Sequence, residues 1–212
     1  MLLVLCIFVP IVMGTTMFPI ESQHLDLNNY YYFPSAFNSD EITRIRTMVQ
    51  PDSFESATIS KQTCPIKTKE LRISDIQWIE EVPTSKWLYN KLLQLAKKAN
   101  DAIYDFKLTH VKDSVQFTRY YGHQGGKYDW HIDLGQGDTI FRKLSIIVLL
   151  SDPSSFEGGS LQLRLGNQLV DAPLHSMGSV VIFPSFILHR VLPVTSGMRE
   201  SLVAWISGFP FQ

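Results

Sequence analysis

Downstream of Lys107 the apolar residues of this chain change period. Before it they recur every three or four positions; after it they alternate, in short segments broken by glycine and polar turns. A chain written that way must pair its segments into sheets, because strand side chains point to two faces in turn and an apolar face needs covering. Val115–Tyr121 reads as a strand, a loop with Gly122, Gly125 and Gly126 follows, and Tyr128–Ile132 resumes. Leu144–Leu150 is an apolar run broken only by Ser145, as a fully buried strand reads. Turns at Ser151-Asp152-Pro153 and Glu157-Gly158-Gly159 precede the alternating Leu161–Leu165, and Gly166-Asn167-Gln168 signals a hairpin into Leu169-Val170. Ser179–Phe183 and Ser201–Ser207 complete seven or eight strands. Short strands at close spacing predict an antiparallel barrel or a double-sheet jelly roll.

The first half carries the helices. Ser39-Asp40-Glu41 opens one, with Ile42, Ile45, Met48 and Val49 as its apolar stripe and Pro51 as its stop. Thr84-Ser85 caps a second, which runs to about Asn100–Tyr104 on a stripe that includes Leu88, Leu92, Leu95 and Ala99. Residues 52–70 read as a loop or short strand, and Glu70–Ile79 as a strand with partial alternation. The expected organisation is a single domain over residues 23–212, mostly β with N-terminal helices: helical support over 23–110 and a jelly-roll core over 111–212.

Residues 1–22 are set aside as an apolar extension. Met1–Met13 is too short to span a bilayer and is broken by Pro10, so no stable membrane span is expected. Its length suits the core of a signal peptide, yet no Lys or Arg precedes Arg44, and a start at Met17 is the alternative. Two cysteines, Cys6 and Cys64, exclude a disulfide framework and a CxxC-type zinc site. They fit a reducing, cytoplasmic compartment, with secretion or tethering the outcome if residues 1–16 act as signal or anchor. Nineteen basic residues against twenty acidic ones leave a formal charge of −1, so no global field draws nucleic acid to the chain and none is expected as a partner.

The chemistry gathers at His131-Ile132-Asp133. On a strand, residues two apart share a face, so the imidazole and the carboxylate converge. His189, just beyond the apolar strand at 179–183, can close a three-ligand face. Two His and one carboxylate leave three octahedral positions open, the arrangement of non-haem Fe(II) sites that bind a cosubstrate and O2 together. The tripeptide alone is also what a hydrogen-bonded, partly buried histidine looks like. The other histidines, His24, His110, His123 and His175, lack such a partner. Arg199 opens the last strand, and an arginine inside an apolar barrel is costly unless paired; a dicarboxylate ligand pairs it bidentately, whereas a surface arginine bonds Glu200 or a loop carboxylate.

These residues carry a resemblance. Tyr121-Gly122, Tyr128-Asp129-Trp130-His131-Ile132-Asp133, Arg142-Lys143-Leu144-Ser145, Phe156-Glu157-Gly158-Gly159-Ser160-Leu161 and the stretch from Phe183-Pro184 to Arg199-Glu200-Ser201-Leu202 resemble the 2-oxoglutarate/Fe(II)-dependent dioxygenases. The nearest branch is the prolyl-4-hydroxylase-like group, with its PKHD-type hydroxylases. The strong match covers about Val115–Gly208; a weaker one reaches Asn28-Asn29-Tyr30-Tyr31 and Arg72-Ile73-Ser74-Asp75. The resemblance implies a double-stranded β-helix, or jelly-roll, barrel flanked by supporting helices. It implies His131, Asp133 and His189 as iron ligands and Arg199 as the residue for the distal carboxylate of 2-oxoglutarate. It also implies Tyr121 as a hydrogen-bond partner of the cosubstrate and Trp205 as a residue packed beside the ligands. Tyr121 and Trp205 are equally what core aromatics on strands look like, and Tyr128 either lines the substrate mouth or packs.

The implied activity is hydroxylation of an unactivated C–H bond, with peptidyl proline or another amino-acid side chain as the default substrate and small molecules also open. Fe(2+), 2-oxoglutarate and O2 are the implied cofactors and cosubstrates, with ascorbate as reductant. The non-catalytic alternative is a cupin-like sensor or structural barrel that keeps the pocket. A zinc hydrolase would need a general base beside the metal, and no HExxH-like arrangement is present. A nucleic-acid demethylase would need a basic patch or a base-stacking insert, and neither is visible.

Overall fold

The computed structural model describes residues 26–57 and 71–210; the extension at 1–22, Cys6 and Cys64 lie outside them. Two helices, α1 (Ser39–Arg46) and α2 (Lys86–Ala99), precede most of the strands. The first helix begins at Ser39, as the sequence suggested, and its cap is the preceding Asn38. Its side chain accepts from the Glu41 amide while Glu41 reaches back to the Asn38 amide, a reciprocal capping box. Ser85 precedes α2, but its hydroxyl donates to the Glu80 carbonyl and makes no helix cap. After Ala99 the helix widens into one π turn, Asn100–Tyr104, which ends at Asp105 in a left-handed conformation (φ 51°).

Fourteen strands are present among the described residues, more than the alternation predicted. The larger antiparallel sheet runs β1 (Tyr31–Phe33), β12 (Val180–Pro184), β8 (Arg142–Leu149), β14 (Val194–Gly208), β6 (Val115–Tyr121), β4 (Asp75–Ile79) and β2 (Glu55–Ser56). Strands β5 (Leu108–Val111) and β9 (Phe156–Gly158) also pair with β14. The smaller sheet runs β11 (Gln168–Asp171), β10 (Leu161–Leu165), β13 (His189–Val191), β7 (Lys127–His131) and β3 (Arg72–Ile73). The extra strands are two to four residues long, too short to show a period of two. The single strand expected over 70–79 divides at Ser74, its two parts joining different sheets.

Alternation sorts the larger sheet's side chains into two cores. Leu144, Ile146, Val148, Val180, Ile182, Leu202, Ala204 and Ile206 pack with Ile42 and Ile45 of α1 and with Leu88, Leu92, Leu95 and Ala99 of α2. The opposite face sends Tyr120, Ile147, Val181 and Phe183 against Leu161, Leu163 and Val191 of the smaller sheet. The larger sheet is thus covered on both sides, which explains why Leu144–Leu150 is apolar but for Ser145. Burial on this scale, at about 25 cal/mol per Å² of apolar surface, holds the sheets and helices together. Among the described residues no helix is long and apolar enough to cross a membrane.

Candidate active site

The two sheets enclose a cavity of about 640 Å³. His131 ends β7 and His189 begins β13, and the two are directly opposed across the sheet, ring centroids 4.1 Å apart. Asp133 lies beyond the end of β7, in the loop, so strand alternation is not what brings it in. Its amide and that of Leu134 both donate to the Ser185 carbonyl at 2.9 Å, which folds the loop over the larger sheet. The Ser145 hydroxyl, on β8, then donates to Asp133 Oδ2 at 2.7 Å and lies 3.0 Å from the Ser185 hydroxyl.

The donor atoms of His131, Asp133 and His189 all lie within 4.8 Å of one another. Asp133 oxygens stand 3.8 Å from His131 Nε2 and 3.5 Å from His189 Nε2. Each Nδ1 lies 2.8 Å from a backbone carbonyl, of Asp129 and Ile187 respectively. A carbonyl only accepts, so each Nδ1 carries a proton, and in a neutral ring Nε2 then turns its lone pair inward, the tautomer a metal requires. Burial, with the His189 ring beside it, pushes the His131 imidazolium down to about 3. Burial acts to raise the Asp133 carboxyl, but the two imidazoles, Ser145 and Trp205 outweigh it and hold it below the ordinary carboxylate range. At neutral pH the triad is one carboxylate with a neutral His131. A divalent cation fits this donor set, and two imidazole nitrogens with one carboxylate oxygen suit Fe(II).

Arg199, Ser201, Val203 and Trp205 alternate down β14 and line the same cavity. Arg199 is 2% exposed. It donates to the Ser201 hydroxyl at 3.1 Å, and no carboxylate among the described residues pairs with it. Burial lowers the tendency of its guanidinium to stay charged, with Tyr120 acting the other way, yet an arginine remains a cation. The surface-arginine alternative does not hold: Glu200 points to the opposite face, where it pairs with Arg46 and Arg119. Trp205 is buried beside Asp133 under the Arg142 guanidinium, which lies 3.8 Å from its ring. Its indole N–H makes no hydrogen bond of ordinary geometry, although it contributes to keeping Asp133 ionised.

Tyr121 is not brought into the site. Its ring meets His123 at 5.4 Å, and the tyrosine that lines the cavity is its neighbour Tyr120, which shares a face of β6 with Gln116. The Arg199 Cζ lies 5.6 Å from the Tyr120 ring. Tyr128 stacks on His131 at 3.5 Å, although at three positions apart a regular strand would put them on opposite faces; the register of β7 against β13 slips between His189 and Val191, and this irregularity turns both rings inward. Ser145 and Arg72 also belong to the site and were not expected there. A hydroxyl inside the apolar run at 144–150 was the signal for Ser145.

The comparisons agree with this geometry. Residues 115–207, which include all three ligand candidates and Arg199, match the 2OG-Fe(II) oxygenase superfamily. A PKHD-type hydroxylase of Thermosynechococcus vestitus is 29% identical over 174 residues, 79% of this chain and 73% of that protein. A PKHD-type hydroxylase of Hyphomonas neptunium is 44% identical over 87 residues, only 38% of its length. In fold the chain is similar to a Pseudomonas putida prolyl-4-hydroxylase (TM-score 0.64, 21% identity, 85% of this chain and 92% of that one). It is likewise similar to a Trichoplax adhaerens prolyl hydroxylase solved with a hypoxia inducible factor peptide fragment (TM-score 0.69, 20% identity, 85% and 84%). The chain is therefore an enzyme similar to the 2OG-Fe(II) oxygenase superfamily, matched over residues 115–207, and it resembles the prolyl-4-hydroxylase-like branch with its PKHD-type hydroxylases.

Proposed function

We propose that the chain hydroxylates an unactivated C–H bond of a peptidyl proline or another amino-acid substrate, using Fe(2+), 2-oxoglutarate and O2, with ascorbate as an auxiliary reductant. The observation that carries this is one cavity holding both a His131–Asp133–His189 donor set and the buried, carboxylate-free cation Arg199. The paired sheets are read as a jelly-roll barrel flanked by helices, and a cytoplasmic setting as the default.

Ferrous iron, when bound, supplies the oxidative chemistry in which O2 and 2-oxoglutarate are consumed and succinate and CO2 released. His131 Nε2, His189 Nε2 and an Asp133 oxygen would hold it. The Asp129 and Ile187 carbonyls fix the two imidazoles, and Ser145 fixes the carboxylate, so the donors need little rearrangement on binding. Arg199 receives the distal carboxylate of 2-oxoglutarate as a bidentate partner, with Ser201 beside it. Tyr120 and Trp205 close the walls, limit water and orient the bound acid. Glu55, Ile76, Trp78 and Thr139 line the outer part of the cavity, where a substrate enters.

The test needs no substrate. Fe(II) and then 2-oxoglutarate are added to the protein without oxygen, and the visible charge-transfer band of a chelated 2-oxo acid is recorded. The band is expected in the wild type, absent in His131→Ala and shifted to higher 2-oxoglutarate concentration in Arg199→Ala. A folded, iron-loaded protein without a band refutes the reading in favour of a non-catalytic barrel.

A further inference from the structure

The cavity holds a second buried cation that the proposed reaction does not use. Arg72, on β3, is 8% exposed and lines the cavity. Its Nε donates to the Ser74 hydroxyl and one Nη to the Gln116 side-chain carbonyl, each at 2.8 Å. Both acceptors are neutral, and no carboxylate among the described residues forms an ion pair with Arg72. A guanidinium has five N–H donors in a planar fork, so these two bonds and a contact with the Tyr128 hydroxyl leave further donors unused. The third cation of the cavity, Arg142, is already neutralised by Asp113 at 2.8 Å.

Its position is tied to the metal ligands. The Arg72 Cζ lies 4.5 Å from the Tyr128 ring centroid, and His131 stacks on that ring at 3.5 Å. Two groups cannot share one ring face at those distances, so Tyr128 is a spacer between the guanidinium and a ligand imidazole. Cross-strand pairing of Arg72 with Tyr128 fixes this stack. A cation withdrawn from water stays charged at a cost unless an anion meets it.

We infer that Arg72 receives a carboxylate of the substrate, and hence that the substrate is an amino acid with a free carboxyl group, either free or at the C-terminus of a peptide. A single unpaired guanidinium suits a singly charged planar anion; a phosphate dianion would draw on more than one cation. The inference rests on the reading above, in which Arg199 is occupied by 2-oxoglutarate and Arg72 stays available.

The probes are the twenty free L-amino acids, their N-acetylglycyl derivatives and the α-amides of both sets, with binding read by ligand-observed NMR. The protein is full length, loaded with Zn(II) and saturated with 2-oxoglutarate, so that Arg199 is filled. At least one acid is expected to bind about tenfold or more tightly than its amide; the free and the acylated sets distinguish an amino acid from a peptide C-terminus. Arg72→Met is expected to abolish the difference, Arg72→Lys to restore part of it, and both to keep the 2-oxoglutarate charge-transfer titration within about twofold of wild type. No acid–amide difference anywhere in the panel, measured on the wild type, overturns the inference. So does a difference that survives Arg72→Met, which would make Arg72 a stacking support for Tyr128. If Arg72→Met loses 2-oxoglutarate while Arg199→Met keeps it, Arg72 is the cosubstrate anchor and the inference fails. A wild type without the band refutes the dioxygenase reading instead, and the same comparison in metal-free protein still decides Arg72.

Discussion

Replacing Glu200 by glutamine tests how the site-bearing strand is held. Glu200 neighbours Arg199 in sequence but faces the helices, where its carboxylate meets Arg46 of α1 at 2.9 Å and Arg119 of β6 at 3.0 Å. Its side chain is 5% exposed, against 42% for Arg46 and 18% for Arg119. Removing one partner of a fully buried ion pair costs about 3–5 kcal/mol, because the other is stranded. An exposed pair contributes about 0–1 kcal/mol. The Arg46 pair lies near the exposed limit, and Arg46 keeps a bond to the Leu150 carbonyl. Arg119 lies nearer the buried one, relieved by its stack on Phe54 at 3.9 Å. The expected loss is about 2–3 kcal/mol. For a chain of this size that lowers Tm by about 5–10 °C. Thermal unfolding followed by circular dichroism reads it, and the charge-transfer titration should show an unchanged 2-oxoglutarate requirement in the folded variant. A Tm within about 1 °C of wild type would refute the claim that this carboxylate ties α1 to the sheet. A weakened cosubstrate affinity at unchanged stability would refute the separation of the two faces.

Asp133→Ala is expected to abolish iron retention with the fold intact, whereas Ser145→Ala keeps iron but lowers ferrous affinity on the order of tenfold, since only the orienting bond is lost; metal-to-protein stoichiometry and a chelator competition separate them. Tyr120→Phe should weaken 2-oxoglutarate binding several-fold, as loss of one hydrogen bond of about 1 kcal/mol does, and Tyr121→Phe should not; anaerobic titration of both decides between adjacent tyrosines. Glu41 should make the helix end acid-sensitive. Burial raises its carboxyl, but the Lys91 bond at 2.6 Å and the Asn38 amide outweigh this and hold it below the ordinary value. Its contribution is therefore full above the unfolded value of about 4.3 and lost as pH falls through the lower folded one. The stability difference between wild type and Glu41→Gln should shrink across that window in denaturant melts, and a constant difference would show that the ion pair is not its source.

Much of this site was legible because its chemistry contradicts its surroundings. An arginine opening an apolar strand, and a histidine after a fully buried one, stand out against the pattern that buries them. The pairing of His131 with His189 needed only that both lie on neighbouring strand ends. Other parts were hidden for physical reasons. Adjacent tyrosines on one strand differ only in face, and a slip of one residue exchanges them, so 120 and 121 could not be told apart. Asp133 reaches the site through bonds from the loop to Ser185, which no local period encodes. Arg72 meets Tyr128 through a two-residue strand, too short to announce itself.

The two faces of β14 show how one strand carries both stability and chemistry. Outward, Glu200 is buried and met by two arginines of the protein itself. Inward, Arg199 is buried as deeply and met by a hydroxyl alone. The space for its side chain is also guarded: Gly159 sits at φ +65°, and a Cβ there would lie 2.8 Å from the Arg199 Cδ. The Gly158-Gly159 turn thus leaves room for the arginine side chain at the cavity wall. A fold selected only for stability would complete the inward charge as it completes the outward one, because an unpaired buried cation costs more than a paired one. Leaving Arg199 open, with Arg72 open across the same cavity, places the missing negative charges on molecules that arrive from outside. The cavity is then at its most stable when it is loaded, and ligand binding adds to folding stability in proportion to the logarithm of ligand concentration.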